Sequence, residues 1–220
     1  MCFSQKSSII TFIIGILGSY SLYLYGTKNI LFSQENKIVG LYFFFVSFMQ
    51  LFDFMIWTDI TNKSGKYRYL NKIAGYLAPL FNHLQPTILY LLETIFYKKW
   101  SSISGLINLL YFGYVGKTYN DYLKNPKNII TKVYDNHLYW NWKNYFNYIW
   151  YFIVLIYNIF YYFPLFYGTI FLIFGAITLL ISSKFFNFNV GELWCYFACF
   201  IPIMIIILNQ YFFPKISKLL

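Results

Sequence analysis

Charged side chains are scarce in this chain. Asp, Glu, Lys and Arg make up only 11% of its 220 residues, against roughly 25% in an average soluble protein, whereas 59% of the residues are hydrophobic and 25% are aromatic. A water-soluble core of this size could not bury so much apolar surface, and exposing the remainder would cause aggregation. We therefore predict an integral, multi-pass membrane protein without a soluble domain.

Histidine and cysteine are also scarce, which excludes several kinds of site. The two histidines, His83 and His137, are too few for a three-histidine zinc site. The three cysteines cannot build a disulfide framework, because Cys195 and Cys199 lie four residues apart in an apolar segment. The last apolar run has no Lys to carry retinal, and the chain lacks a phosphate-binding glycine loop, a CxxC pair and the motifs of intramembrane proteases. We therefore expect no cofactor.

Acidic residues are fewer than basic ones, with 7 Asp and Glu to 17 Lys and Arg and a net charge of +10. Most of the basic residues lie in short connections between apolar runs, where they are typical of topology signals and of contacts with lipid head groups. We therefore expect membrane lipids as partners and no nucleic acid. The sequence leaves open whether the chain forms a homo-oligomer.

Seven apolar runs approach the roughly 20 residues that a helix needs to cross a bilayer. They lie at residues 8–25, 38–60, 73–97, 100–122, 145–163, 165–182 and 190–213. The predicted fold class is all-α: a polytopic bundle of seven transmembrane helices that forms one domain over residues 1–220. Pro164 is the expected turn between the fifth and sixth spans, Pro86 is expected to bend the third span, and Pro202 is expected to kink the seventh. A signal peptide is the alternative for the first run.

The distribution of basic residues predicts the orientation of the bundle. With seven spans, eleven Lys and Arg residues fall on the side of the N-terminus and six on the other side. The N-terminus is therefore expected in the cytoplasm and the C-terminus outside. The connection 123–144 would lie on the cytoplasmic side, and its Trp140 and Trp142 are predicted to form an interfacial aromatic belt.

Polar residues within the predicted spans lie at one depth, in the cytoplasmic half. Helical spacing places Gln50, Asp53 and Trp57 on one face of the second span. Three helices would thus present polar groups to one cavity open toward the cytoplasm, with Asp53 and His83 within hydrogen-bonding or one-water reach. The predicted cluster consists of Gln50, Asp53, Trp57, Asn82, His83, Gln85, Glu192 and Cys195. Glu93, near the other end of the third span, is expected to be an interfacial carboxylate.

Three sequence segments carry a resemblance to a known family. They are Met49-Gln50-Leu51-Phe52-Asp53 followed by Trp57, Asn82-His83-Leu84-Gln85-Pro86, and Gly191-Glu192-Leu193-Trp194-Cys195. Together they resemble an uncharacterised family of seven-span membrane proteins of giant DNA viruses and some protists, over the second, third and seventh spans. Members of that family often have Glu in place of Asp53 and a small residue in place of Glu192. The resemblance implies a viral protein in a host or virion membrane but no activity.

Three functions are compatible with the cluster. Ionisable groups on separate helices at one depth favour permeation or transport of protons or small cations, with Asp53, His83 and Glu192 as a relay or cation site. A structural or receptor-like membrane protein is the first alternative, because interhelical polar bonds also serve packing alone. A membrane enzyme is the second: Asp53 and His83 would act as acid and base, or would bind a metal ion with Glu192 and Cys195.

Overall fold

The chain is almost entirely helical, which confirms the all-α class. A computed structural model describes residues 4–28, 32–62, 69–134, 137–185 and 190–211. In this part of the chain there are nine α-helices: α1 (Gln5–Lys28), α2 (Ser33–Thr61), α3 (Tyr69–His83), α4 (Gln85–Tyr97), α5 (Ser102–Leu123), α6 (Tyr148–Tyr162), α7 (Leu165–Phe185), α8 (Val190–Ala198) and α9 (Ile201–Tyr211). A two-stranded hairpin and two short 3-10 turns lie between α5 and α6.

Two helices of the described residues are long and apolar enough to cross a membrane by themselves. They comprise Gln5–Gly26 and Ser33–Thr61, and a core helix of a soluble protein or a signal sequence can have the same properties. Three further apolar helices are shorter: Tyr148–Tyr162, Leu165–Ile181 and Ile201–Tyr211. The first of these has 15 residues and is about 22 Å long. Two long apolar helices are therefore present, and the seven predicted spans are not established by helix length.

Prolines interrupt the helices where the sequence predicts it. The third predicted span divides into α3 and α4 at Leu84, two residues before Pro86. The seventh divides into α8 and α9 at residues 199–200, and Pro202 is the second residue of α9. Proline has no N–H for the helical ladder and clashes with the preceding turn. Pro164 separates α6 from α7 with only Phe163 and Pro164 between them, as predicted.

Helix α2 lies at the centre of the fold and packs closely against α1. A Cβ added to Gly15 of α1 would lie 2.2 Å from Oγ of Ser47 on α2, so only glycine permits this approach. Small residues at such a contact allow two helix backbones to come together. Most core side chains of α2 are aromatic or β-branched, and Ile38, Val39 and Phe43 are fully buried.

The segment between α5 and α6 is folded against the helices. We call residues 124–134 and 137–147 the docked connection. It contains an antiparallel hairpin of Lys132–Tyr134 and His137–Tyr139, with Val133 opposite Leu138. Trp140 and Trp142 follow the hairpin and are fully buried, with ring centroids 4.8 Å apart. The predicted interfacial belt is therefore wrong for both tryptophans, because they lie in the protein core.

Helix α3 provides the surface for this docking. Pro79 cannot donate to the carbonyl of Gly75, and the hydroxyl of Tyr122 donates to that carbonyl instead, at 2.9 Å. Ile129 of the docked connection approaches so closely that a Cβ on Gly75 would lie 1.9 Å from its carbonyl oxygen. Glycine at position 75 is therefore required by a backbone-to-backbone contact.

We expect Gly75→Ala to lower the thermal unfolding temperature of the protein in detergent. The added methyl group forces the docked connection away from α3, and overpacking of this kind costs about 1–3 kcal/mol. Gly113→Ala on α5 is the matched control, since no atom lies within 4 Å of its added Cβ. It should be neutral or stabilising, because alanine favours helix by about 1 kcal/mol over glycine. Equal unfolding temperatures for the two variants would contradict the close contact.

Candidate functional site

Asp53 lies inside the bundle and is bound by the docked connection. Its side chain is 1% exposed. Nε1 of Trp140 donates to Oδ1 of Asp53 at 3.0 Å, and Nε2 of Gln50 approaches Oδ2 at 3.5 Å. The hydroxyl of Thr11 on α1 donates in turn to Oε1 of Gln50 at 3.1 Å. Asp53 and Gln50 thus form a polar chain that joins α1, α2 and the docked connection.

The docked connection is held in place by hydrogen bonds that match side-chain amides to backbone groups. Asn71 on α3 donates to the carbonyl of Thr131 and accepts from its N–H, both at 2.9 Å. The amide of Asn141 donates to the carbonyl of Asn128 at 3.1 Å and to that of Ile130 at 2.7 Å. These bonds place Trp140 over Asp53. The sequence predicts an open cavity at this end of the cluster, whereas the structure has an indole there.

His83 is buried in an aromatic environment. Its ring is 0% exposed and stacks on Phe146 with centroids 3.9 Å apart and an angle of 6° between the planes. Tyr148 and Tyr151 approach from other sides, at 5.2 and 5.8 Å. Neither ring nitrogen has a hydrogen-bond partner in the described part of the chain. The sequence predicts His83 and Asp53 within hydrogen-bonding or one-water reach; they form no direct hydrogen bond, and contact through one water stays a prediction.

Asn82 and Gln85 connect the break between α3 and α4 to other helices. Oδ1 of Asn82 accepts a weak hydrogen bond from Sγ of Cys195 on α8 at 3.8 Å, so these two predicted cluster members are brought together. Oε1 of Gln85 accepts from the hydroxyl of Tyr151 on α6 at 2.5 Å. The side-chain nitrogens of Asn82 and Gln85 are buried and have no partner among the described residues.

The remaining residues of the predicted cluster lie on α2 and α8. Trp57 is half-buried and packs against the core on the same helix as Asp53. The backbone of Glu192 belongs to α8, but its side chain lies outside the described residues. Cys195 and Cys199 are buried and form no disulfide among the described residues.

The structure does not assemble a metal site from the described residues. No three His, Cys, Asp or Glu side chains in the described ranges lie close enough together to hold one ion. Of the ligand set considered from sequence, Asp53, His83 and Cys195 are described, and they form no such group.

Several residues that sequence reasoning missed contribute to the polar interior. Asn108 on α5 and Asn158 on α6 form reciprocal amide hydrogen bonds of 3.0 and 3.1 Å, and Asn158 also donates to the carbonyl of Pro86 at 2.9 Å. An asparagine in an otherwise apolar helix was a usable signal for these two. Trp140 had no comparable signal, since its composition and position are those of an interfacial tryptophan.

Two apolar cavities lie away from the cluster. One, of about 390 Å³, is lined by α6, α7 and Trp194, and the other, of about 580 Å³, lies between α5 and α6. Neither is lined by Asp53, His83 or their partners. Comparison with models of protein families, with curated proteins and with solved structures finds no match to this chain.

We expect Trp140 and Asp53 to be energetically coupled. A double-mutant cycle of Trp140→Phe and Asp53→Leu, measured by unfolding in detergent, should give a coupling free energy of about 1–3 kcal/mol, because each single change orphans a buried polar group. Trp150→Phe is the matched control, since Trp150 is 53% exposed and should have no coupling to Asp53. Additive effects of Trp140→Phe and Asp53→Leu would disprove the anchoring contact.

Proposed function

We propose that this chain is an integral membrane protein that conducts or transports protons or small cations. Large apolar side chains are exposed on the outer faces of the helices, where they would aggregate in water but are suited to lipid. On α5, α6 and α7 these include Leu106, Leu109, Leu110, Ile149, Ile153, Leu172 and Ile173. This surface and the two long apolar helices support a membrane location.

Seven spans remain the arrangement that we propose for the bundle. In this arrangement α3 with α4, and α8 with α9, each make one interrupted span, and the other helices make one span each. Discontinuous helices are frequent where membrane proteins bind ions, because the interruption leaves backbone polar groups available inside the membrane. The three segments noted above support, in the same way, a relationship to the seven-span family of giant viruses and protists.

This topology predicts that the two termini lie on opposite sides of the membrane, with the N-terminus in the cytoplasm. The reason is the eleven to six distribution of Lys and Arg between the two sides. Glycosylation tags fused separately to each end and tested in cells or microsomes give the answer: only the C-terminal tag should be modified. Modification of both tags, or of neither, would rule out an odd number of spans.

The observation that carries the functional proposal is a group of unsatisfied nitrogens at the helix break. Asn82, His83 and Gln85 contribute four buried side-chain nitrogen atoms that have no partner among the described residues. An unmade hydrogen bond of a buried group costs about 1–3 kcal/mol, so four of them would be a large cost in one turn of helix. Buried polar groups of this kind normally bind ordered water. Internal water beside an ionisable ring is the arrangement that proton transfer requires.

A structural role is the second candidate, and one observation favours it. Asp53 accepts from Trp140 and is approached by Gln50, so its carboxylate holds the docked connection to α2. In this case the cluster would be part of a structural or receptor-like protein. No observation in the described residues favours an enzyme.

We expect Asp53→Asn to reduce proton flux at least tenfold in liposomes that contain the purified protein and a pH-sensitive dye. Asparagine retains an oxygen that accepts from Trp140 but cannot titrate, and a tenfold loss corresponds to about 1.4 kcal/mol in the barrier. The matched control is Asp121→Asn on α5, because Asp121 is exposed and paired with Lys124. Flux should be unchanged in that variant.

The same measurement separates the two candidates. A folded Asp53→Asn protein with wild-type flux would remove Asp53 as the titrating group. Absence of proton and cation flux from the wild-type protein itself would leave the structural candidate.

A further inference from the structure

Glu93 on α4 is a buried carboxyl group outside the cluster described above. Its position in the sequence predicts an interfacial carboxylate, but the side chain is 0% exposed. Neither Oε1 nor Oε2 has a hydrogen-bond partner in the described ranges. The interfacial prediction is therefore wrong, and the interior holds a second ionisable group.

The groups around Glu93 are mainly tyrosines. Tyr97 lies one helical turn after Glu93 on the same helix, and its ring centroid is 6.4 Å from that of Tyr162 on α6. Tyr90, one helical turn before Glu93, has its ring 6.2 Å from that of Tyr162. The hydroxyls of Tyr90 and Tyr162 are buried and have no partner at hydrogen-bonding distance and angle among the described residues. No basic side chain forms a salt bridge with Glu93 in this part of the chain.

A buried carboxyl group and buried hydroxyls that lack hydrogen-bond partners require a further molecule that can bind them. A lone carboxylate in an apolar interior is strongly disfavoured, and a neutral carboxylic acid still needs hydrogen-bond partners. Water satisfies both the acid and the hydroxyls, and buried waters typically make about three such bonds. The observations therefore favour a hydrated pocket at Glu93.

The position of Glu93 connects two polar regions of the bundle. Gln85 lies eight residues earlier on the same helix, which is about 12 Å along its axis. Tyr97 lies one turn later, and its hydroxyl donates to Oε1 of Glu35 at 3.1 Å. Glu35 is half-buried in the first turn of α2, at the end of that helix opposite to Asp53. Glu93 thus lies between the helix break and this end of the bundle.

We propose that Glu93, with the hydroxyls of Tyr90 and Tyr162, forms an internal hydrated site for proton exchange. The Glu93 carboxylate takes one proton from a hydronium ion in the water chain, which leaves a neutral water, and later returns that proton to another water on the side of Glu35. This inference rests on the proposed function, because it extends the pathway from the helix break to the opposite end. The ligand of this site is the proton, and internal water delivers it to Glu93.

Infrared difference spectroscopy of the full-length protein in liposomes tests the site without measuring transport. On a change from H₂O to D₂O, the C=O band of a buried protonated carboxylic acid should shift. Glu93→Gln should abolish this band, and Asp121→Asn should leave it unchanged. An unchanged carboxylic acid band in folded Glu93→Gln, or no such band in the wild-type protein, would overturn the site.

Transport measurements on the same preparations separate this inference from the proposed function. Glu93→Gln should reduce proton flux at least tenfold, whereas wild-type flux in folded Glu93→Gln would overturn the inference and leave the proposed function in place. If Glu93→Gln instead lowers potassium or sodium flux and leaves proton flux constant, the site does not exchange protons and the inference is overturned. If wild-type protein has no flux, the proposed function fails, and the pathway built on it fails too, whatever the infrared result. Tyr90→Phe is the second variant if Glu93→Gln does not fold. It removes one hydroxyl, so it should lower proton flux several-fold, and unchanged flux would count against the site.

Discussion

The hydrogen bond from the indole of Trp140 to the carboxylate of Asp53 organises the interior of this protein. It fixes the end of the hairpin against α2, and Trp142 then stacks on Trp140 within the core. Four residues later Phe146 lies against His83, and Asn147 caps the first turn of α6. The docked connection therefore covers the polar cluster with Trp140 and Phe146 and ends at the residue that caps α6.

Most polar groups inside the bundle are paired, and the pairs compensate for specific local deficits. The hydroxyl of Tyr122 satisfies the carbonyl that Pro79 leaves without a donor, and the amides of Asn108 and Asn158 satisfy each other. Such pairing is expected wherever water is excluded, because unpaired groups are costly there. The unpaired groups are therefore informative. They occur on most elements of the described chain, and the longest run of them extends from Asn82 at the end of α3 to Glu93 on α4.

The two interrupted helices meet at this same region. Oδ1 of Asn82, two residues before the break between α3 and α4, accepts from Cys195 on α8, shortly before the break that precedes α9. Pro86 and Pro202 have no N–H, so the carbonyls of Asn82 and Ala198 lack the donor that a continuous helix supplies from four residues later. This arrangement supports a hydrated pathway, and Pro86 and Pro202 lie in the first turns of α4 and α9, close to the polar residues at the breaks.

The sequence by itself determined the helical class, the breaks near Pro86, Pro164 and Pro202, and the candidate residues of the cluster. These features follow from apolar content and from the effect of proline on its own turn of helix, which are properties of short segments. Only the tertiary structure decided the partner of Asp53, because Trp140 lies 87 positions away. It also decided the burial of Glu93, since depth along one helix does not reveal which neighbouring helices cover a side chain. The physical reason is that local rules act within a few residues, whereas desolvation of a polar group depends on every segment that packs against it.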